Sequence, residues 1–311
     1  MRVFVFLASL LFATAATAQQ PREPLFSAVE AYGLFQGDIS GVLDADIDSP
    51  QALTLALERA ARHDPVRLTR GWMAYGALTA AQSPAFVGGV RARVHAAGRA
   101  AVLRQLRRDV TYARRRPPGA AEAIQLILNA NAGDGARLGE AAARIDQLGD
   151  TLNASTWVFA AESREDRTTR FRQLARERWE LQAQVASRLH IGVMASQPLA
   201  TADGFGGRRF WDELDGRGSN AVPMQTRREA APATIDRMLT LAALYIVSAT
   251  PQESARVSEL IDDRRTSDCL ELAQLQYRQC ASVAHDANED AYCLARHGLA
   301  GPAQCFSAIG N

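Results

Sequence analysis

Four cysteines have the spacing that most directly predicts chemistry, and all of them lie near the C-terminus: Cys269, Cys280, Cys293 and Cys305. Cys269 and Cys280 are eleven residues apart, about three helical turns, so one helix carries both on the same face. The midpoints of the pairs 280/293 and 269/305 both fall just after His285, in a turn-like stretch. Two antiparallel helices that meet there would join Cys280 to Cys293 and Cys269 to Cys305 as nested disulfides.

Zinc binding is the competing interpretation of this region. Cys280, His285, Cys293 and His297 are ligand types that zinc prefers, in the spacing C-x4-H-x7-C-x3-H. A zinc site would leave two cysteines over, and the thiols of an exported protein tend to oxidise. We therefore predict two disulfides and no zinc.

A second metal candidate is the D-x-D-x-D pattern of Asp44, Asp46 and Asp48, because calcium loops begin with alternating carboxylates. Ser49 stands where an EF-hand needs glycine, and Leu55 where it needs the bidentate glutamate. Asp48-Ser49-Pro50 at the end of the pattern is also explained, without a metal, as the capped start of a helix. Calcium remains the alternative to this capping role, and we predict no cofactor.

Carboxylates beside an aromatic side chain mark the segment 201–231. Asp212, Glu213 and Asp215 follow Trp211, and carboxylates with such an aromatic platform suit glycosidic-bond cleavage, in which two acids flank the bond. The segment also holds five glycines and the aromatic residues Phe205 and Phe210. A disordered linker would lack aromatics, so we expect an ordered loop that packs on the helices.

Glu162 is a further candidate carboxylate. Ala161-Glu162-Ser163 and Gly33-Leu34-Phe35-Gln36 are similar to motifs of the helical lytic transglycosylases. In that family the glutamate-serine pair shortly precedes the other piece, whereas here the order is reversed and the two pieces are far apart. We therefore assign the chain to no family on this resemblance.

Arginines dominate residues 84–116, where Asp109 is the one acid. Val87, Val90, Val94, Ala97 and Ala101 form an apolar seam along the same helix. Such a helix suits an acidic protein partner or anionic lipid. Stacking aromatics for nucleic acid are missing. The arginines are Arg91, Arg93, Arg99, Arg104, Arg107, Arg108, Arg114, Arg115 and Arg116.

The alternative interpretation of these arginines is a solvated face that is neutralised within the protein. Residues 259–311 hold eight acids and four arginines, and we expect the acidic complement there. Gly88, Gly89 and Gly98 lower the helix propensity of the basic segment, which predicts that another backbone or a ligand comes close.

The N-terminus is typical of a secretory signal peptide over residues 1–18. Arg2 is the charged region, Val3 to Phe12 the apolar region, and Ala16-Thr17-Ala18 the cleavage site. No later stretch is long and apolar enough to span a membrane, so we expect no transmembrane span in the mature chain. The protein is thus predicted to be periplasmic or secreted, by export of the Gram-negative type.

The sequence predicts that helices carry the candidate residues named above. The chain has 311 residues, 47% of them hydrophobic, and no segment alternates as a strand does. The chain has 35 arginines and no lysine, which excludes catalysis by a lysine side chain. Caps followed by proline begin helices at Ser49, Asp64, Ser83, Thr250 and Gly301. Helices are predicted at 24–36, 50–62, 65–81, 84–114, 118–131, 135–149, 152–190, 232–249, 251–263, 267–284 and 287–297.

These patterns predict an all-α, multi-helix bundle with a disulfide-stapled helical hairpin at its C-terminus. After the signal peptide we expect a helical domain at 19–200, the glycine- and aromatic-rich loop at 201–231, and a helical region at 232–311. The common catalytic motifs are absent. We therefore expect a non-catalytic envelope scaffold, adaptor or binding module, with another envelope protein or anionic lipid as its partner. The alternative is a periplasmic hydrolase or glycan-cleaving enzyme that uses carboxylates of the 201–231 loop.

Overall fold

The computed structural model describes residues 24–159, 163–174, 177, 179–180, 182–192, 211 and 232–307. These residues contain no strand, and the predicted all-α class is confirmed. The predicted signal peptide lies outside them, and so do the expected domain boundaries at 200 and 231. The elements are α1 (Pro24–Leu43), α2 (Pro50–Ala61), α3 (Pro65–Ala80), α4 (Pro84–Ala97), α5 (Arg99–Arg108), α6 (Tyr112–Arg115), α7 (Ala120–Asp146), α8 (Gly149–Asn153), α9 (Arg164–Leu174), α10 (Ala183–Gly192), α11 (Pro232–Ile246), α12 (Ser254–Ile261), α13 (Arg264–Val283), α14 (Ala287–Cys293), a π-helical segment (Leu294–Leu299) and α15 (Ala300–Ser307).

Three of the predicted helix starts have the expected caps. The side chains of Ser49, Asp64 and Ser83 accept hydrogen bonds from backbone N–H groups of α2, α3 and α4. In each case proline occupies the first turn, where its missing N–H leaves no helical bond unmade. The start predicted at Thr250-Pro251 is wrong, because a turn follows and α12 begins only at Ser254.

The basic segment is two helices and a short third one, so the prediction of one helix over 84–114 is wrong. Gly98 ends α4 with a φ of +82°, a conformation that glycine adopts without strain. The expected close approach occurs at Gly89, where an added Cβ would lie 2.1 Å from the carbonyl oxygen of Pro118. Gly88 has no such neighbour.

Two further predicted boundaries are wrong. The predicted helices 118–131 and 135–149 are one continuous helix, α7, because Gly133 and Gly135 are tolerated within it. The single helix predicted over 152–190 is interrupted by turns at 154–159. There the carbonyl oxygen of Val158 accepts a hydrogen bond from the backbone N–H of Ala287, so a tertiary contact replaces a helical one.

The C-terminal hairpin has the predicted form. Cys269 bonds to Cys305 and Cys280 to Cys293, with Cα–Cα distances of 5.7 and 5.5 Å. α13 and α14 meet at the predicted turn, and Asp286 caps α14. The π-helical segment carries the returning chain past Gly298 into α15, which brings Cys305 back to α13. Two disulfides are compatible with export to an oxidising compartment.

The core contains a buried polar network around α1 and α7. The Tyr32 hydroxyl donates to Asp134 at 2.8 Å, and Arg137 donates to the side-chain and backbone oxygens of Gln36. Asp134 and Arg137 are almost fully buried. Burial and the Asp134 carboxylate raise the pKa of Tyr32, so the phenol remains a donor. The opposite charges of the two α7 residues, with their hydrogen bonds, make this burial tolerable.

None of the helices in the described ranges is both long enough and apolar enough to cross a membrane.

Candidate functional site

The arginine ridge comprises the nine arginines of residues 84–116. α4, α5 and α6, which carry them, each pack against α11. Eight of the nine side chains are exposed, and Arg93 is half-buried. α11 thus links the three basic helices, and α4 and α6 also pack against α7.

Four members of the ridge are engaged within the protein. Arg99 donates to the carbonyl oxygens of Val247 and Ser248, just beyond the C-terminal end of α11, where the helix dipole favours a cation. Arg107, Arg114 and Arg115 bind carboxylates, at 2.8 Å to Glu253, 2.7 Å to Asp236 and 2.7 Å to Asp109 respectively.

The pKa values of these carboxylates follow from their surroundings. The hydrogen bond from Arg107 lowers the pKa of Glu253, and the Thr111 hydroxyl lowers that of Asp109. Burial raises the pKa of Asp236, against the opposing effect of Arg114. The carboxylates that pair with the ridge belong to Asp109, Asp236 and Glu253. The expectation that residues 259–311 supply them is therefore wrong for these pairs.

Four other members of the ridge are exposed and make no hydrogen bond or ion pair with any residue that the structure describes: Arg91, Arg104, Arg108 and Arg116. Arg104 and Arg108 are four residues apart on α5, so they lie on one face and repel each other. Internal neutralisation is thus partial, and the ridge presents guanidinium groups to solvent.

The apolar side of the basic helices faces inward. Val102, Leu103 and Leu106 of α5 are buried, and so are Phe86 and Val90 of α4. The large exposed hydrophobic side chains of the described residues all lie outside 84–116. A helix that lies in a membrane interface needs an exposed apolar face, and these helices use theirs in the core.

The calcium candidates lie in the connection between α1 and α2. Asp44, Asp46 and Asp48 are all exposed, and Asp46 is 4.0 Å from Arg144. Across the described residues, no three His, Cys, Asp or Glu side chains are grouped so as to hold a metal ion. The zinc interpretation of Cys280 and Cys293 is excluded by their disulfide.

The candidate catalytic carboxylates Glu162, Asp212, Glu213 and Asp215 lie outside the described residues. Trp211 does not form the expected surface platform, because it is 1% exposed. Its indole N–H donates to Asp134 at 2.7 Å, and its ring packs against Tyr32 and Tyr75. Trp211 itself packs on the helices, and the rest of the expected loop lies outside the described residues.

A buried charged cluster that the sequence did not predict joins α1 to the α2–α3 turn. Arg62 binds the Asp38 carboxylate through two nitrogens, and His63 Nε2 lies 2.8 Å from Asp38 Oδ2. Trp179 covers Arg62, with the guanidinium carbon 4.5 Å from the ring centroid. Since Arg62 binds the Asp38 carboxylate through two hydrogen bonds, we interpret the cluster as structural.

A second site that the sequence did not predict is a shallow cleft of about 30 Å³ between α2, the 154–159 turns, α9 and α14. Burial raises the pKa of Asp290 at its base to about 6, against the opposing effect of Arg167. A shifted carboxyl within a cleft is typical of functional sites. No local motif could have indicated it, because its residues are far apart in sequence. The main lining residues are Leu53, Thr54, Trp157, Arg167, Arg170 and Asp290.

The chain matches no protein-family model, no curated protein and no solved structure.

Proposed function

We propose that the protein is a non-catalytic binding module of the cell envelope, exported through its signal peptide to the periplasm or the medium. Its arginine ridge docks an acidic surface of another envelope protein. The observation that carries this proposal is the set of four exposed ridge arginines without a carboxylate partner among the described residues.

The chemistry of the ridge favours carboxylates as its target. Guanidinium groups bind carboxylates through two parallel hydrogen bonds, which gives geometry as well as charge. Arg104 and Arg108 repel each other in the free protein, and a carboxylate placed between them relieves that repulsion. A partner with acidic side chains at helical or strand spacing therefore gains more here than at a neutral surface.

A protein partner is favoured over an anionic membrane because the ridge lacks an exposed apolar face. Charge alone would hold the protein at a lipid surface only loosely and in a salt-dependent way. Export is supported by the signal-like N-terminal sequence and by the two disulfides.

The alternative, a hydrolase that uses Glu162, Asp212, Glu213 or Asp215, loses one of its supports. Trp211 was to be its substrate platform, and this side chain is buried against Asp134. Turnover of peptidoglycan, ester or phosphate substrates by the purified protein would favour the enzyme over the binding module.

The test compares two variants of equal charge. In the ridge variant, Arg91, Arg104, Arg108 and Arg116 become glutamine. In the control, the same change is made at four exposed arginines elsewhere, whose side chains also make no hydrogen bond or ion pair with described residues: Arg164, Arg264, Arg265 and Arg296. Binding to immobilised polyglutamate and to phosphatidylglycerol vesicles is measured at low and high salt.

We expect the ridge variant to bind polyglutamate roughly thirtyfold more weakly than the native protein, because four exposed ion pairs at about 0.5 kcal/mol each total about 2 kcal/mol. The control should retain nearly all of its affinity. Equal losses in both variants would mean that net charge alone, and no ridge, is responsible. Vesicle binding that survives high salt would indicate a membrane partner instead.

A further inference from the structure

The outward side of α13 carries apolar side chains that the described fold leaves exposed. Leu272 is 55% exposed, Leu275 is 52% exposed and Val283 is 49% exposed. The opposite side of the helix packs on α3, α9, α15 and the π-helical segment. A single exposed leucine is ordinary, whereas several apolar side chains on one face of a helix indicate a contact surface.

The spacing of the exposed residues places these side chains in one stripe. We define the outer face of α13 as five exposed residues that follow one another in steps of four, three, four and four: Asp268, Leu272, Leu275, Gln279 and Val283. Steps of three and four recur along the contact seam of paired helices. The two leucines lie side by side in this stripe, with a polar residue before and after them. The outer face is therefore suited to packing against another helix.

Two charged residues on one edge of the outer face have no ion-pair partner among the described residues. Arg278 is half-buried, and its Nε is buried without a hydrogen-bond partner there. Burial lowers the pKa of this guanidinium. Glu271 is exposed and likewise unpaired within the described ranges. Two helical turns, roughly 10 Å of rise, separate the two residues, which is beyond the usual pairing of residues four apart.

We infer that the outer face of α13 binds the same face of a second copy of this chain, with the two helices antiparallel across a twofold axis. A twofold dimer uses one self-complementary patch on both copies. With the axis between Ala273 and Gln274, Leu272 of one copy meets Leu275 of the other. Four leucine side chains then leave water together at the centre of the contact.

Charge favours this antiparallel arrangement over a parallel one. Around the same axis, Asp268 of one copy faces Gln279 of the other, whose amide donates to a carboxylate. Glu271 lies within one helical turn of Arg278 of the other copy, so each unpaired charge gains a partner, twice by symmetry. Parallel helices in register would instead place Asp268 against Asp268, and like charges repel. The contact is separate from the arginine ridge and does not depend on what the ridge binds.

The two disulfides hold the outer face in place before binding. Cys269 and Cys280 tie α13 to the rest of the hairpin on either side of the two leucines. Little conformational entropy is then lost when a second copy docks. One helix face buries a small area, so we expect a dissociation constant of roughly 1–100 µM.

Sedimentation velocity of the purified protein over roughly 1–300 µM, which brackets that range, tests this inference. The variant L272Q/L275Q removes the apolar centre. The matched control is L55Q/F159Q, because Leu55 and Phe159 are also exposed apolar residues, at 47% and 81%, and lie outside α13.

A charge exchange tests the antiparallel register. The variants E271R and R278E are measured separately and as an equimolar mixture. Each variant alone brings like charges together at the edge of the outer face. In the mixture, the cations at both positions of one chain face anions of the other.

We expect L272Q/L275Q to weaken dimerisation about a hundredfold, because four half-exposed leucine side chains lose their burial. The control should dimerise as the native protein does. E271R should weaken dimerisation at least about fivefold, because two exposed ion pairs are lost. The mixture with R278E should form a heterodimer that is tighter than the homodimer of either variant.

Three results would overturn the inference. One is a monomer over the whole concentration range. Another is a dimer that L272Q/L275Q leaves unchanged, which would place the contact elsewhere. The last is a mixture that associates no more tightly than either variant alone, which would exclude the antiparallel register. L272Q/L275Q and E271R change exposed side chains, so they remain informative if R278E fails to fold, as circular dichroism would reveal.

Discussion

Replacement of Trp211 by phenylalanine tests the buried contact between Trp211 and the helices. The indole is 1% exposed and donates to the buried Asp134 carboxylate at 2.7 Å. Phenylalanine keeps a ring near Tyr32 and Tyr75 but has no donor. Loss of a hydrogen bond to a charged, buried group contributes about 1.5–3 kcal/mol, and the smaller ring leaves a void worth about 1 kcal/mol. We therefore expect W211F to lower the free energy of unfolding by about 2.5–4 kcal/mol.

Urea unfolding followed by far-ultraviolet circular dichroism measures this change. W179F is the matched control, because Trp179 is half-buried and its indole N–H has no hydrogen-bond partner among the described residues. W179F should lose less than about 1 kcal/mol. If W211F unfolds at the same urea concentration as the native protein, Trp211 is not a buried hydrogen-bond partner of Asp134, and the expected loss of stability is wrong.

Two further predictions concern stability. Replacement of Cys269 and Cys305 by alanine should destabilise the protein by about 4 kcal/mol, because this pair closes a loop of 36 residues. Replacement of Cys280 and Cys293 should cost about 3 kcal/mol, because that loop has 13 residues. Urea unfolding that ranks the two pairs the other way would contradict this chain-entropy argument. Burial raises the pKa of Asp290 from 3.8 to about 6. The contribution of this carboxyl to the free energy of unfolding is therefore fully present below about pH 4 and is lost as the pH rises through 6. The loss is roughly 3 kcal/mol at most. D290N cannot titrate, so its stability relative to the native protein should increase from pH 4 to 7, and a decrease would mean that pairing with Arg167 dominates.

The features predicted best from sequence depend on short-range geometry. The disulfide pairing followed from helical spacing and a common midpoint, and the structure contains the same two bonds. The caps at Ser49, Asp64 and Ser83 followed from a side-chain acceptor placed before proline. In each case the residues that decide the structure lie within one helix end or one hairpin.

The predictions that failed depend on contacts between distant residues. The spacing of apolar residues over 152–190 suits a helix, yet Val158 instead accepts a hydrogen bond from Ala287. The basic segment suits one long helix, yet it turns at Gly98 and passes so close to Pro118 that Gly89 has no room for a Cβ. The spacing of apolar residues indicates which side of a helix is apolar, but it does not indicate whether a tertiary contact interrupts the helix.

The candidate sites divide in the same way. The arginine ridge was visible as composition, but its pairing with Asp236 and Glu253 required the packing of α11 against it and the turn that precedes α12. The Asp290 cleft gave no signal at all, because Thr54, Trp157 and Asp290 are separated by over a hundred residues at each step. A site assembled from single residues of several helices has no sequence motif.

The contrast between paired and unpaired arginines is the strongest physical reason to treat the ridge as a binding surface. Arg137 and Arg167 are buried, and both are satisfied by oxygen acceptors, so the fold accommodates guanidinium groups at considerable desolvation cost. Arg104 and Arg108 instead repel each other on an exposed face and pair with no described residue. This arrangement slightly destabilises the isolated protein, and the packing of α5 does not require it, since that helix is held by buried Val102, Leu103 and Leu106 and by the contacts of Arg99 and Arg107. We propose that an acidic partner supplies the compensation that the fold itself does not.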